Sequence, residues 1–96
     1  MKQKTKRYLL VCGLLLITLL GSAKNPIRVS CVGNSVTFGY GLDNRETHCY
    51  PYVLQQLLGK PYEVRNFGHS GTTLLSKGHR PYIQQPEYQE ALAFKP

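Results

Sequence analysis

The sequence predicts an α/β protein in which helices cover both faces of a parallel sheet. Strand-like and helix-like segments alternate after residue 24, and short polar segments that contain glycine connect them. No cysteine or histidine spacing suggests a disulfide or zinc scaffold instead. Two strands and about three helices are too few to complete a three-layer α/β/α architecture. Residues 24–96 are therefore expected to be the N-terminal portion of a larger domain.

Residues 1–23 have the three parts of a signal peptide. Basic residues occur at positions 2, 4, 6 and 7, an uncharged apolar run covers 8–20, and small residues occupy 21–23. The run of 13 residues is shorter than the roughly 20 that a membrane-spanning helix needs, which makes a permanent anchor the weaker alternative. Cleavage after Ala23 and export to the periplasm or the extracellular space are predicted, with no stable membrane insertion afterwards.

Most of the chain's positive charge belongs to this segment. The whole chain has 12 basic and 5 acidic residues, a formal charge of +7, and 4 of the basic residues precede residue 24, so 8 − 5 leaves +3. The remaining basic residues are scattered, so nucleic-acid binding is not predicted. Cys31 lies in an apolar run and is expected to be a small core residue rather than half of a disulfide. No metal or cofactor site is indicated.

The first predicted strand covers Ile27–Val32, which is rich in β-branched residues and is followed by glycine. A polar loop is expected from Gly39 to Cys49. A helix should follow over Tyr50–Leu58, with proline near its start and Gly59 at its end. The residues expected to face the core are Val53, Leu54, Leu57 and Leu58.

The second half of the chain repeats this order. Alternation predicts a strand over Tyr62–Asn66, and a glycine-containing loop, FGHSG, follows it. A short helix is expected near Thr72, then a loop over Ser76–Pro86. A last helix is predicted over Glu87–Phe94. Its inward residues should be Tyr88, Ala91 and Leu92.

The candidate site lies in the two loops that follow the strands, GNSVTFG and NFGHSG. Ligands of open α/β sheets bind outside the carboxyl ends of the strands, where both loops should lie. A serine on a tight turn, such as Ser35, can act as a nucleophile and donate its backbone N–H to an oxyanion. An ordinary turn is the alternative interpretation. The phosphate motifs GxGxxG and GxxxxGK[ST] are absent, and Thr37 breaks the GxSxG pattern of α/β-hydrolases.

Together, VGNSVTFGYG and NFGHSGTTLL resemble the first two conserved blocks of the SGNH, or GDSL, hydrolases, in order and in separation. The resemblance implies a flavodoxin-like three-layer fold, Ser35 as the nucleophile and a backbone oxyanion donor, and Gly71 as a second donor. It implies no cofactor. Asn34 stands where the family has aspartate in Gly-Asp-Ser, which keeps a hydrogen-bonding side chain and removes its charge.

Two later blocks of that family are missing from the 96 residues. One is Gly-x-Asn-Asp, which supplies an asparagine to the oxyanion hole. The other is Asp-x-x-His, which supplies the acid and base of the triad. Asp43 is the only aspartate of the sequence, and no histidine lies three residues after it. The 96-residue chain alone is therefore expected to be inactive. His69 is a weak candidate for a replacement base and a better one for a contact at the pocket rim. His48 and His79 are expected to be exposed polar residues.

The likeness over residues 27–96 is greatest to bacterial sialate or related carbohydrate O-acetylesterases, which implies an O-acetylated carbohydrate as substrate. A GDSL-type lipase or lysophospholipase is the enzyme alternative, and a noncatalytic remnant that binds glycans is the other. No substrate-binding residue is assigned from the sequence. The loop residues expected to border the pocket are Thr37, Tyr40, Arg45, Glu46, Arg80 and Tyr82.

Overall fold

A computed structural model describes residues 25–96 of the chain. The predicted signal peptide, residues 1–23, lies outside the described residues. In chain order the elements are β1 (Ile27–Gly33), α1 (Ser35–Phe38), α2 (Arg45–His48), α3 (Tyr50–Leu58), β2 (Tyr62–Gly68), a 3₁₀ turn (Tyr82–Gln84) and α4 (Pro86–Ala93).

The two strands pair in parallel along their whole length. The register runs from Ile27 opposite Tyr62 to Gly33 opposite Gly68. Parallel neighbours require a long crossover connection, which is supplied here by the segment that contains α1, α2 and α3. The predicted α/β class is therefore confirmed.

Helices pack on both faces of this sheet. On one face Ser30 donates a hydrogen bond of 3.2 Å to the carbonyl of Ala91 in α4, and the rings of Phe67 and Phe94 lie 5.8 Å apart. Because side chains alternate along a strand, Val64 points to the opposite face, where it lines a cavity with residues of α3. Within residues 25–96 helical segments thus lie against both faces of the two-stranded sheet.

The outer edge of β2 is covered by one side chain of α3. The Gln55 amide donates to the carbonyl of Tyr62 at 2.9 Å and accepts from the N–H of Val64 at 2.6 Å. These are backbone groups that a strand edge would otherwise leave unpaired. Gln55 therefore fixes α3 along the sheet through hydrogen bonds to the strand backbone.

The predicted inward faces of the helices are partly wrong: four of the seven residues are exposed, Leu54 and Tyr88 are half-buried, and Ala91 is buried. In α3, Leu57 is 80 % exposed, Val53 and Leu58 are also exposed, and the buried residue is Pro51. In α4, Ala91 is buried as predicted, but Leu92 is exposed. Amphipathic spacing identifies which residues share one face of a helix. Two strands about 4.8 Å apart form a surface too narrow to bury that whole face.

Three segments differ from the predicted elements. The chain near Thr72 is extended rather than helical, because the carbonyl of Thr73 accepts from the N–H of Tyr82 at 2.9 Å and its N–H donates to the carbonyl of Arg80 at 3.1 Å. The predicted loop Gly39–Cys49 contains the single turn α2, and the predicted loop Ser76–Pro86 contains the 3₁₀ turn. Single turns lack the periodicity that identifies longer helices.

The two cysteines of the described chain are buried free thiols. Cys31 is therefore a core residue, as predicted. Burial, with the nearby Cys49 as a smaller cause, raises the pKa of the Cys31 thiol. Across residues 25–96, no helix has both the length and the apolar character needed to cross a membrane.

Candidate functional site

The turns that carry Ser35 and Gly71 begin side by side. Gly33 and Gly68, the last residues of the strands, are paired in the sheet. Immediately beyond them the N–H of His69 donates to the carbonyl of Gly33 at 2.9 Å. The sequence prediction that both loops leave the same end of the sheet is therefore correct.

Ser35 is the first residue of α1, and Asn34 precedes it as the cap. The Asn34 side-chain oxygen accepts from the N–H of Val36 at 3.2 Å. At the other end, the carbonyl of Ser35 accepts from Gly39 and Tyr40, at 2.9 and 3.0 Å. The asparagine thus makes the hydrogen bond of a helix cap without the charge of a carboxylate.

The Thr37 side chain packs beneath the Ser35 turn, against the sheet, and does not border the pocket. The side chain is buried, and its hydroxyl lies 2.9 Å from the hydroxyl of Tyr50 and 3.5 Å from the carbonyl of Val32. The expectation of a rim position for Thr37 is therefore wrong, because α1 turns this side chain toward the sheet.

Asn66 ties the two turns together, a role that the sequence prediction missed. Its amide donates to the carbonyl of Thr37 at 2.8 Å and accepts from the N–H of Gly68 at 2.8 Å. Gly68 allows this close approach, because a Cβ there would lie 2.3 Å from the backbone nitrogen of Phe38. The sequence signal is an asparagine at the end of a strand, two residues before a glycine, but its partner Thr37 in α1 is 29 residues away.

Gly71 lies in a turn that requires glycine. Its φ of +81° is in the left-handed region, and the Thr72 hydroxyl closes the turn by donating to the carbonyl of His69 at 2.7 Å. Among residues 25–96, the N–H groups of Ser35 and Gly71 make no backbone hydrogen bond. Both of the N–H groups predicted to hold an oxyanion are thus left unoccupied by the backbone.

Arg80 brings positive charge next to Gly71. One guanidinium nitrogen lies 3.1 Å from the position that a Cβ on Gly71 would occupy. The side chain is exposed, as expected for a residue at the pocket rim. A cation at this distance would favour the negative oxygen that forms during acyl transfer.

Two other predicted rim residues act in the framework. The guanidinium carbon of Arg45 lies 3.5 Å from the centre of the Phe38 ring, and Arg45 Nε donates to the Phe38 carbonyl. Arg45 thus stabilises the end of α1. Tyr82 is buried and donates to the carbonyl of Phe67 at 2.6 Å. Burial, with smaller contributions from two nearby glutamates, raises the pKa of Tyr82. Arg45 and Tyr82 therefore hold the framework together, and the expectation that they border the pocket is wrong.

The described histidines do not bond to Ser35. His69 Nδ1 lies 2.8 Å from a carboxylate oxygen of Glu87, and His48 Nδ1 lies 3.0 Å from the hydroxyl of Thr47. Partial burial opposes ionisation of Glu87, but its own backbone N–H and His69 together lower its pKa. No group of three or more metal-ligating side chains is present in the part of the chain that the structure describes.

Two cavities flank the Ser35 turn. One, of about 270 Å³, is lined by Gly33 and Asn34, just before Ser35, and by residues that include Val32 and Leu74. The other, of about 300 Å³, is lined by Phe38, at the end of α1, and by Tyr40 and the loop after β2. The residues on either side of the turn thus line two recesses, of which the first includes aliphatic side chains and the second aromatic and ionisable ones.

The fold and the site together define a mixed α/β chain with a serine turn and a glycine turn at adjacent strand ends, an arrangement suited to nucleophilic acyl transfer. The chain is similar to an acetylxylan esterase of Xylanibacter ruminicola, with 49% identity over 73 residues. The matched stretch covers 76% of this chain and 15% of that esterase, so the chain spans less than a sixth of the relative. No protein-family model and no solved structure matches the chain.

Proposed function

We propose that residues 25–96 carry the nucleophile and part of the oxyanion hole of a serine ester hydrolase that removes acetyl groups from carbohydrates. The observation that carries the proposal is the position of Ser35 and Gly71 in neighbouring turns, with N–H groups that the backbone leaves unoccupied. Similarity to a protein named acetylxylan esterase supports the ester and carbohydrate parts. A lipid ester is less favoured, because the relative is named for a carbohydrate ester.

In the proposed reaction, the Ser35 oxygen attacks the acetyl carbonyl of the substrate. The resulting oxyanion is held by the N–H groups of Ser35 and Gly71, each typically worth on the order of 3 kcal/mol to the transition state. The C–O bond to the sugar then breaks, the sugar oxygen takes a proton, and an acetyl-serine remains. Water attacks this ester and releases acetate, which restores the serine.

The base that accepts the proton of Ser35 is not among the described contacts. His48 and His69 are bonded to other residues, and the 96 residues contain no Asp-x-x-His pair. We propose that the complete catalytic group requires residues beyond those in this chain, and that the chain alone does not turn over esters. Similarity to an enzyme of much greater length supports this. Export, which we propose from the basic and apolar composition of residues 1–23, would give access to extracellular polysaccharide.

Two acetylated carbohydrates are candidate substrates. The sequence motifs resemble those of sialate O-acetylesterases, whereas the relative is named for xylan. We therefore propose an acetylated plant polysaccharide as the first substrate to test and an O-acetylated sialic acid as the second.

The test is trapping of the acetyl group on Ser35. Without a base both acylation and deacylation are slow, but the oxyanion N–H groups still favour reaction at Ser35 over other hydroxyls. Prolonged incubation with the activated ester p-nitrophenyl acetate is therefore expected to leave one acetyl group on the serine, detected by mass spectrometry of the intact chain and its peptides. Ser35→Ala should lose this label, whereas Ser76→Ala, which changes an exposed loop serine, should keep it. Labelling of lysines alone, or equal labelling of Ser35→Ala, would show that Ser35 is not the nucleophile.

A further inference from the structure

The second cavity beside Ser35 contains a histidine and a glutamate that the proposed reaction does not use. It has a volume of about 300 Å³, comparable to the smaller ligand sites of proteins. Phe38, at one wall, is three residues beyond Ser35 in α1, so the cavity begins about one helical turn from the proposed nucleophile. The residues that line it are Phe38, Tyr40, Gly68, His69, Ser70 and Glu87.

Glu87 fixes the orientation of the His69 ring. The 2.8 Å contact between Nδ1 and the carboxylate brings together residues from the loop after β2 and the first turn of α4. Since the Glu87 carboxylate has a lowered pKa and accepts hydrogen bonds when ionised, Nδ1 is the nitrogen that donates. Both side chains remain partly exposed, at 26% and 29%. Nε2 is therefore left to bond a ligand, in a ring whose position is already set.

Tyr40 gives the cavity an exposed aromatic surface. Its side chain is 76% exposed, although its backbone N–H is fixed to the carbonyl of Ser35 at 3.0 Å. A rigid aromatic ring at a binding surface offers an apolar face together with a polar hydroxyl. The apolar C–H face of a pyranose ring packs on such a surface, and its hydroxyl groups remain available to neighbouring polar residues.

Ser70 adds an unused polar group to the same loop. Its hydroxyl oxygen is buried and has no hydrogen-bond partner among residues 25–96. Buried polar groups are nearly always paired in folded proteins, so an unpaired one marks a place where a water or a ligand completes the network.

We propose that this cavity is a subsite for one neutral sugar ring of the substrate, which rests on the proposed carbohydrate esterase function. Tyr40 packs against the ring face, His69 hydrogen-bonds a ring hydroxyl through Nε2, and Glu87 is the residue that positions His69. A neutral sugar fits better than an acidic one, because the only side chain in the cavity that is always charged at neutral pH is the Glu87 carboxylate. The subsite would therefore favour xylose-type units over sialic acid.

Binding of a sugar without an ester tests this subsite. The probes are methyl β-D-xylopyranoside and a methyl sialoside, titrated into the purified chain and followed by backbone amide NMR. We expect the xyloside to shift the signals of Tyr40, His69 and Ser70, with a dissociation constant on the order of millimolar. We expect the sialoside to bind more weakly. Tighter binding of the sialoside, or xyloside shifts confined to other regions, would overturn the proposal.

Cavity variants with matched controls sharpen the test. Tyr40→Ala should weaken xyloside binding by about tenfold, the equivalent of about 1.4 kcal/mol, and Tyr40→Phe should retain most of it. Tyr52→Ala removes another exposed tyrosine, in α3, and should change nothing. Glu87→Gln should weaken binding several-fold, whereas Glu90→Gln, one turn further along α4, should not. Equal effects of the cavity variants and their controls would refute the subsite.

The outcomes separate the two proposals. Xyloside binding without acetylation of Ser35 would contradict the nucleophile and retain the subsite. Acetylation of Ser35 without xyloside binding would contradict the subsite and retain the nucleophile.

Discussion

At the residue scale, the hydrogen-bonded pair of His69 and Glu87 makes stability depend on pH. The pKa of Glu87 is lowered in the folded chain from an ordinary value of 4.5, so the ionised carboxylate favours folding. This contribution is fully present above pH 4.5 and is lost as the pH falls through the lowered pKa. Glu87→Gln should therefore reduce the free energy of unfolding at neutral pH, with a difference that shrinks toward zero in acid.

Urea unfolding at a series of pH values measures this difference. His69→Ala removes the hydrogen-bond partner of the carboxylate, so Glu87→Gln should cost less stability at neutral pH when it is introduced into that variant. A cost of Glu87→Gln that stays constant from neutral pH to well below 4.5 would show that the Glu87 carboxylate does not titrate with folding.

Single residues also mark the limit of the sequence prediction. The turns that hold Ser35 and Gly71 are predictable because each lies in a short motif that follows a strand, and local backbone chemistry determines such turns. The catalytic roles of the two residues stay predictions. Asn66 and the pair of His69 with Glu87 were missed, because their partners are distant along the chain and no local pattern records them. The exposure of Leu57 was missed for another reason: helical spacing cannot tell how much surface is available to cover a face.

At the element scale, Gly68 determines how closely α1 lies against β2. A Cβ at this position would be 2.3 Å from the nitrogen and 2.8 Å from the Cα of Phe38, both of which are backbone atoms. Gly68→Ala should therefore push α1 and Ser35 away from the sheet and lower the free energy of unfolding by about 1–3 kcal/mol. Backbone amide NMR should show shifted signals throughout Ser35–Phe38.

Gly41→Ala is the matched control for this displacement. Gly41 has a positive φ of 82°, but no atom lies within 4 Å of a Cβ built there. The control should thus lose about 1–2 kcal/mol through backbone strain and leave the α1 signals in place. If both variants shift those signals equally, close packing at Gly68 is not what positions Ser35.

At the scale of the whole molecule, one edge of the sheet is covered by a side chain and the other is not. Gln55 covers the outer edge of β2, whereas β1 has no strand on its other side among residues 25–96. Exposed apolar side chains lie near that edge, since Val32 in β1 and Leu74 line one cavity and are 50% and 91% exposed. An uncovered strand edge beside apolar surface is a site at which chains pair with one another.

We therefore expect the isolated chain to self-associate through the β1 edge. Sedimentation equilibrium should show association that decreases in Val32→Lys and Leu74→Lys, since a lysine at an edge opposes pairing. Leu57→Lys places the same charge on the exposed face of α3, where Gln55 already covers the adjoining edge, and should leave association unchanged. Dissociation by Leu57→Lys alone would instead identify the apolar face of α3 as the contact surface. Association that all three lysine variants reduce equally would contradict a specific role for the strand edge, because added charge on any surface would then be sufficient.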